Sequence, residues 1–420
     1  MRLSSNYSNS IVDGAFVGNG IATNALGAIG LVMPFVNAII ALMMLINVGG
    51  ATIFAIQIGK GDTDGANRVF HHGMILLVGV SAIFTIAGVF FTGPLCTLFG
   101  ANETFHELAA EYLFWYSVFI IPSGLNMGLQ GYCRNDGAPI LVTVSVIIST
   151  ACNVVGDWLL IYSIPWGMKG AAIATGASQT IACLIMLTHF IRKKGILRFG
   201  KVKLHGSLVR DIIIHGLPEG ISNLSIPITS LCMNLVLVGM IGDIGVNAFS
   251  VISYASSLFF GVIFGVGEGL QPLLGQSYGA KNETDVKYYF KSGLLISFVG
   301  STLVSLVYII FGKPVCTLFG AAPVTLEYTV RVIPMYSVGF IVMALNAMIT
   351  AYLYSTERSS QSSIISFLRS IVVNSITILL LPKLFGADSV WITFAVYEAI
   401  ALIIAVVLLK HSERNGIAFK

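Results

Sequence analysis

Charge is what this chain has least of. Only 10% of its 420 residues are Asp, Glu, Lys or Arg, against about 25% in soluble domains. Hydrophobic residues make up 56%, and the mean hydropathy is +0.87. That balance excludes an ordinary soluble domain and points to a polytopic membrane protein. Catalytic and metal motifs are missing too. The six cysteines (Cys96, Cys133, Cys152, Cys183, Cys232 and Cys316) form no CxxC pair and no metal-ligand spacing, so they are expected as free core thiols. "HELAAE", from His106 and Glu107, lacks the second His of a zinc-protease helix. The seven His are scattered and no phosphate-cradling loop occurs. No enzyme and no cofactor are expected. The net charge of +4 is spread over short loops, which gives no footprint for nucleic acid. The opening "MRLSSNYSNS" is polar where the apolar core of a signal peptide would stand.

What is present is a series of long apolar runs. Twelve spans are expected, at roughly 1–19, 28–58, 71–98, 107–130, 138–163, 170–191, 211–240, 247–277, 288–312, 324–354, 360–382 and 388–410. Seventeen Lys and Arg lie in the loops after even spans and in the C-terminal tail, and four lie in the loops after odd spans. This bias places the even loops and the C-terminus in the cytoplasm. The longest basic linker, 192–210, then divides an N-terminal lobe (1–191) from a C-terminal lobe (211–420).

The lobes are an internal repeat. "CTLFGA" occurs at 96–101 and at 316–321, an offset of 220. The same offset relates Gly59 to Gly279, Gly73 to Gly293, Asn126 to Asn346 and Tyr132 to Tyr352. Each lobe has an even number of spans, so both start from the same side and the repeat is parallel. The fold expected is therefore an all-α membrane protein: twelve transmembrane helices in two six-helix lobes. By the repeat ruler, the first span is short of its counterpart at the cytoplasmic end, so a truncated first helix is expected.

Five acids lie inside spans: Asp13, Asp157, Glu219, Glu268 and Glu398. Intramembrane acids cost about 2.5–3.5 kcal/mol each on insertion scales and usually mark a pathway. At about 1.5 Å rise per residue, Asp13, Asp157 and Thr175 share one level in the outer half of the first lobe, with Asn153 one turn deeper. Carboxylate, amide and hydroxyl oxygens at one level suit a hard cation or a shared proton. The alternative is a hydrogen-bonded network that only fixes packing. In the second lobe the matching positions are Asn234, Asn374, Ile378 and about Ala395, so coupling is expected on one side only. Arg369, the one Lys or Arg deep within a span, is expected to pair with Glu219 or Glu268, because a buried charge needs a partner. Glu398 is left open between substrate contact and interhelical bonding. Pro122, Pro218, Pro227 and Pro334 are candidate kinks.

Five stretches together resemble the multidrug and toxic compound extrusion (MATE) family. They are "NSIVDGAFVG" in span one, "RNDGAP" after span four, "NVVGD" in span five, "GAAIAT" in span six and "GEGLQPLLGQSYGAKN" closing span eight. The resemblance implies two six-helix lobes forming a V, alternating access, and export of organic, often cationic compounds against inward Na⁺ or H⁺. In the DinF-type branch the cation site carries over to Asp13, Asn153, Asp157 and Thr175. Some members carry a Glu eight residues after the span-seven Pro, where this chain has Ile226. The reading is thus a Na⁺- or H⁺-coupled drug exporter, monomeric, in the plasma (inner) membrane. Its expected partners are small organic substrates and lipid. The alternative is a flippase or exporter of lipid-linked saccharides or other amphipathic metabolites.

Overall fold

The protein is described from a computed structural model, which describes residue 21 and residues 25–101, 103–192, 195–198, 200, 205–318 and 323–413. Span one, with Asp13 and the expected short start, lies outside these residues. Every regular element among the described residues is helical. In chain order they are α1 (Ala25–Gly59), α2 (Thr63–Phe90), α3 (Thr92–Leu98), α4 (Glu103–Val118), α5 (Ile120–Asn135), α6 (Pro139–Asp157) with a π-helical turn at Trp158–Ser163, and α7 (Gly167–Arg192). The second half holds α8 (Gly206–Met240), α9 (Asp243–Gly279), α10 (Glu283–Leu318), α11 (Pro323–Ser355) and α12 (Ser359–Phe367) with a π-helical turn at Leu368–Val373. It ends with α13 (Asn374–Phe385), a 3₁₀ turn at Ala387–Ile392 and α14 (Thr393–Glu413).

Among the described residues, nine helices are long and apolar enough to cross a membrane, or ten if the bent α4–α5 pair is one span. The bend is 51° and has a local cause. Pro122 has no N–H to give to the Val118 carbonyl and its ring crowds that carbonyl. The ladder closes tightly at Phe119 N–H to Tyr116 O (3.1 Å) and resumes at Ser123 N–H to Phe119 O (3.0 Å). The other three candidate prolines sit inside continuous helices: Pro218 and Pro227 in α8, Pro334 in α11.

The chain forms two compact units that part at Gly216/Leu217, inside α8; the short turn 59–61 groups with the later one. In the first unit α7 packs against α4, α5 and α6, and in the second α11 packs against α9, α10 and α14. The repeat is visible in detail. Asp62 caps α2 by accepting the Gly65 N–H at 2.7 Å, and Asn282, 220 residues on, caps α10 by accepting the Asp285 N–H at 3.1 Å. The Phe70 and Tyr132 rings meet edge to face at 5.2 Å; their counterparts Phe290 and Tyr352 stack at 4.1 Å. Two turns need a left-handed residue. The first half of the sequence places Gly61 (φ 77°) and Gly137 (φ 82°) there, whereas the second half places Lys281 (φ 57°) and Glu357 (φ 58°). All six cysteines are free thiols, and five are buried.

Candidate functional site

The first polar site is built by the pairing of α6 with α7. Ser149 donates to the Ser178 carbonyl at 2.9 Å. A Cβ on Gly156 would stand 3.0 Å from the Ala174 Cβ, and one on Gly170 would stand 2.7 Å from the Leu160 carbonyl oxygen. The helices therefore run antiparallel, with 149 opposite 178, 156 opposite 174 and 160 opposite 170. Thr175 consequently lies level with the turn from Asn153 to Asp157. Gly170, first residue of "GAAIAT", is there because the backbone of the π turn comes too close for a side chain.

Asn153 and Asp157 are both 0% exposed. Neither the Oδ1 nor the Nδ2 of Asn153 has a hydrogen-bond partner among the described residues. A buried amide left so costs about 1–3 kcal/mol. Thr175 is half-buried, and its hydroxyl donates to the Ala171 carbonyl at 3.1 Å. The pairing of α6 with α7 thus sets Asn153, Asp157 and Thr175 at neighbouring levels, while Asp13 falls outside the described residues. The donor set is oxygen, with an amide that has capacity to spare, and this fits Na⁺ or a proton rather than a soft metal. No group of three or more His, Cys, Asp or Glu able to hold a metal occurs among the described residues.

The corresponding place in the second unit is filled differently. Asn374, the repeat counterpart of Asn153, donates to the Thr229 hydroxyl and, at 3.2 Å, to the Ser370 carbonyl. Ile378, 1% exposed, stands where Asp157 does. The charge sits elsewhere. Asn346 donates to the Glu398 carboxylate at 2.6 Å and to its carbonyl at 2.8 Å. Arg369 lies 3.6 Å from the same carboxylate, and side-chain exposures are 9% and 4%. The ion pair shown for Arg369 is thus with Glu398, while Glu219, one of the two acids expected for it, lies within its electrostatic reach. The reason is local: Arg369 belongs to the π turn Leu368–Val373, against which α14 packs. Glu219 instead accepts the Asn223 side-chain N–H at 3.1 Å, and Glu268 is half-buried on α9.

Asn126 and Gln179 were not expected at a site. They make the same contact in the first unit, Asn126 donating to the Gln179 side-chain carbonyl. Asn126 and Asn346 are 220 apart, and Gln179 and Glu398 are 219 apart. The repeat preserves one buried Asn-centred contact and charges it in one lobe only. The offset marks Asn126 and Asn346 in the sequence, but it does not say what either would touch.

Two repeated bundles of membrane-length helices, each with polar groups buried at mid-helix, are the build of a membrane transporter. The comparisons agree. The model of the MatE family matches residues 3–159 and 218–380, once per lobe, and the chain belongs to that family. The multidrug export protein MepA of Staphylococcus haemolyticus is 22% identical over 405 residues, covering 95% of this chain and 88% of that protein. An FAD transporter of Shewanella oneidensis is 26% identical over 335 residues, covering 76% and 72%. A crystal structure of MATE in complex with MaL6 superposes with a TM-score of 0.91 at 23% identity, covering 97% of this chain and 92% of that one. A MOP superfamily transporter from Pyrococcus furiosus gives 0.90 at 23%. At such identities the structures speak for the fold. The protein is a multi-pass membrane transporter, not an enzyme.

Proposed function

We propose that the protein exports organic cations by antiport with Na⁺ or H⁺, and that Asn153, Asp157 and Thr175, with Asp13, hold the coupling ion. The observation that carries this reading is a fully buried carboxylate one helical turn from an equally buried amide with no hydrogen-bond partner among the described residues. Such a pair is costly in a span and is usual where an ion passes. The basic loop bias supports an inner-membrane location with the 192–210 linker and the C-terminus in the cytoplasm. A cargo carrying phosphate, such as a lipid-linked saccharide or the dinucleotide named for the Shewanella relative, would call for uncompensated positive charge. Arg369 is instead neutralised by Glu398, which favours the cationic cargo.

The test is ethidium efflux from cells, with Na⁺ and pH varied separately, for the protein and its Asp157→Asn variant. The substitution keeps shape and removes the titrating charge. Efflux by the variant is expected to fall to background with normal membrane insertion. Efflux at the unsubstituted level would make Asp157 a packing residue and overturn the proposal.

A further inference from the structure

Beyond the transport site, the first unit holds a second polar assembly. It ties the inter-lobe linker to the starts and ends of α2, α5 and α7. Asn67 on α2 donates to the Ile196 carbonyl at 2.9 Å and accepts the Arg198 N–H at 2.8 Å. Asp136, the acid of "RNDGAP", accepts the Ile196 N–H at 2.8 Å and the Leu197 N–H at 3.3 Å, and its Oδ2 lies 2.8 Å from His189 Nε2. Two neighbouring histidines of α2 hold the next stretch. The Gly200 N–H donates to His71 Nε2 at 2.8 Å, and the His205 N–H donates to His72 Nε2 at 2.9 Å.

The protonation state of these two rings is fixed by their partners. His71 Nδ1 lies 2.6 Å from the Asn67 carbonyl, and His72 Nδ1 lies 2.7 Å from the Arg68 carbonyl. A carbonyl only accepts, so each Nδ1 carries the proton. Each Nε2 receives a backbone N–H, so each must be bare. Both rings are therefore neutral while the linker is docked. A second proton would place an N–H against an N–H and break the contact. His72 is also 0% exposed. His189 has the opposite sign. Its partner is a carboxylate, which accepts from either the neutral or the charged ring.

The joint is mechanical as well. His205 gives its N–H to His72, and its own carbonyl accepts the Leu208 and Val209 N–H groups at 3.1 and 3.3 Å. It thereby caps α8, the helix that continues past Gly216 into the second unit. Other titratable or charged groups stand on the elements of this assembly. α2 carries Asp62, Asp64 and Arg68, the last 3.5 Å from Asp62. The linker carries Arg198, turned onto the Gly195 and Leu197 carbonyls, and the His205 ring 6.0 Å from His72. α5 carries Arg134 and Asp136, and α7 carries His189 and Arg192.

We infer that the linker is a proton-released clasp. Residues 195–198 stay anchored by Asp136 and Asn67 at all working pH values, while Gly200 and His205, with the start of α8, are docked only when His71 and His72 are both neutral. Acid on this face frees the first turn of α8 from α2. The device needs no knowledge of cargo or coupling ion.

Hydrogen exchange on the purified full chain tests it at pH 7.5 and 5.5, a window across which imidazoles charge, with intrinsic rates corrected. The amides of Gly200 and His205 are expected to lose about ten-fold or more of their protection at the lower pH. Those of Ile196 and Leu197 should keep theirs. In His71→Gln/His72→Gln, where an amide oxygen replaces each Nε2 acceptor without titrating, protection should be the same at both pH values. Equal protection of Gly200 and His205 at both pH values in the unsubstituted chain overturns the inference. So does an acid loss in the Gln variant as large as in the unsubstituted chain, because another group would then be the sensor.

Discussion

Glu398 and Arg369 offer a decisive perturbation, because the repeat supplies an uncharged version of the same contact. Removing one member of a buried ion pair costs about 3–5 kcal/mol, since the other is left as a naked charge; replacing both by well-packed neutral groups is often neutral or better. In Glu398→Gln the Asn346 side chain keeps an acceptor, as Asn126 has in Gln179. Arg369 loses its ion-pair partner and keeps only the longer-range attraction of Glu219, at 7% exposure and with its Nε already lacking a hydrogen-bond partner among the described residues. For a unit of about 200 residues, a 3–5 kcal/mol loss lowers the melting temperature by roughly 10 °C. Adding Arg369→Met keeps the length of the side chain and removes the charge, which should restore stability to within about 1 kcal/mol of the parent. By the offset of 221 that pairs Asn153 with Asn374, the first unit has the uncharged Ile148 at the place of Arg369. The assay is thermal unfolding of the parent, both singles and the double in detergent, with ethidium efflux alongside. A double variant that is stable and transports normally makes the pair structural. An unaffected melting temperature in Glu398→Gln would refute the neutralisation argument, and a stable double without efflux would show that Glu398 meets the cargo.

Two shorter predictions go with it. Asn153→Leu removes a buried amide that has no hydrogen-bond partner among the described residues, so it should stabilise the protein by about 1–3 kcal/mol while abolishing ion-coupled efflux; a drop in melting temperature would show that the amide is satisfied. Lys281→Gly relieves a left-handed residue whose counterpart in the first half of the sequence is Gly61, and should raise stability by about 0.5–1 kcal/mol after the entropy cost of glycine, read as a higher melting temperature with unchanged efflux.

The sequence by itself determined the class, the spans and the repeat. Membrane helices are written as runs of apolar residues, because a bilayer leaves the backbone no alternative, and a duplicated lobe shows as one offset held from Gly59/Gly279 to Tyr132/Tyr352. It also put Asp157 and Thr175 at one depth, with Asn153 one turn deeper, since helix rise converts position into height. Height is not azimuth, however. Which way Arg369 points depends on a π turn that no periodicity announces, and its partner became Glu398 because α14 lies against that turn. The docking of the linker on His71, His72 and Asp136 was equally hidden, because it joins backbone amides to side chains about 60 to 130 residues away and leaves no pattern in composition. Contacts of that kind are decided only when the helices have packed and brought those groups within hydrogen-bond reach.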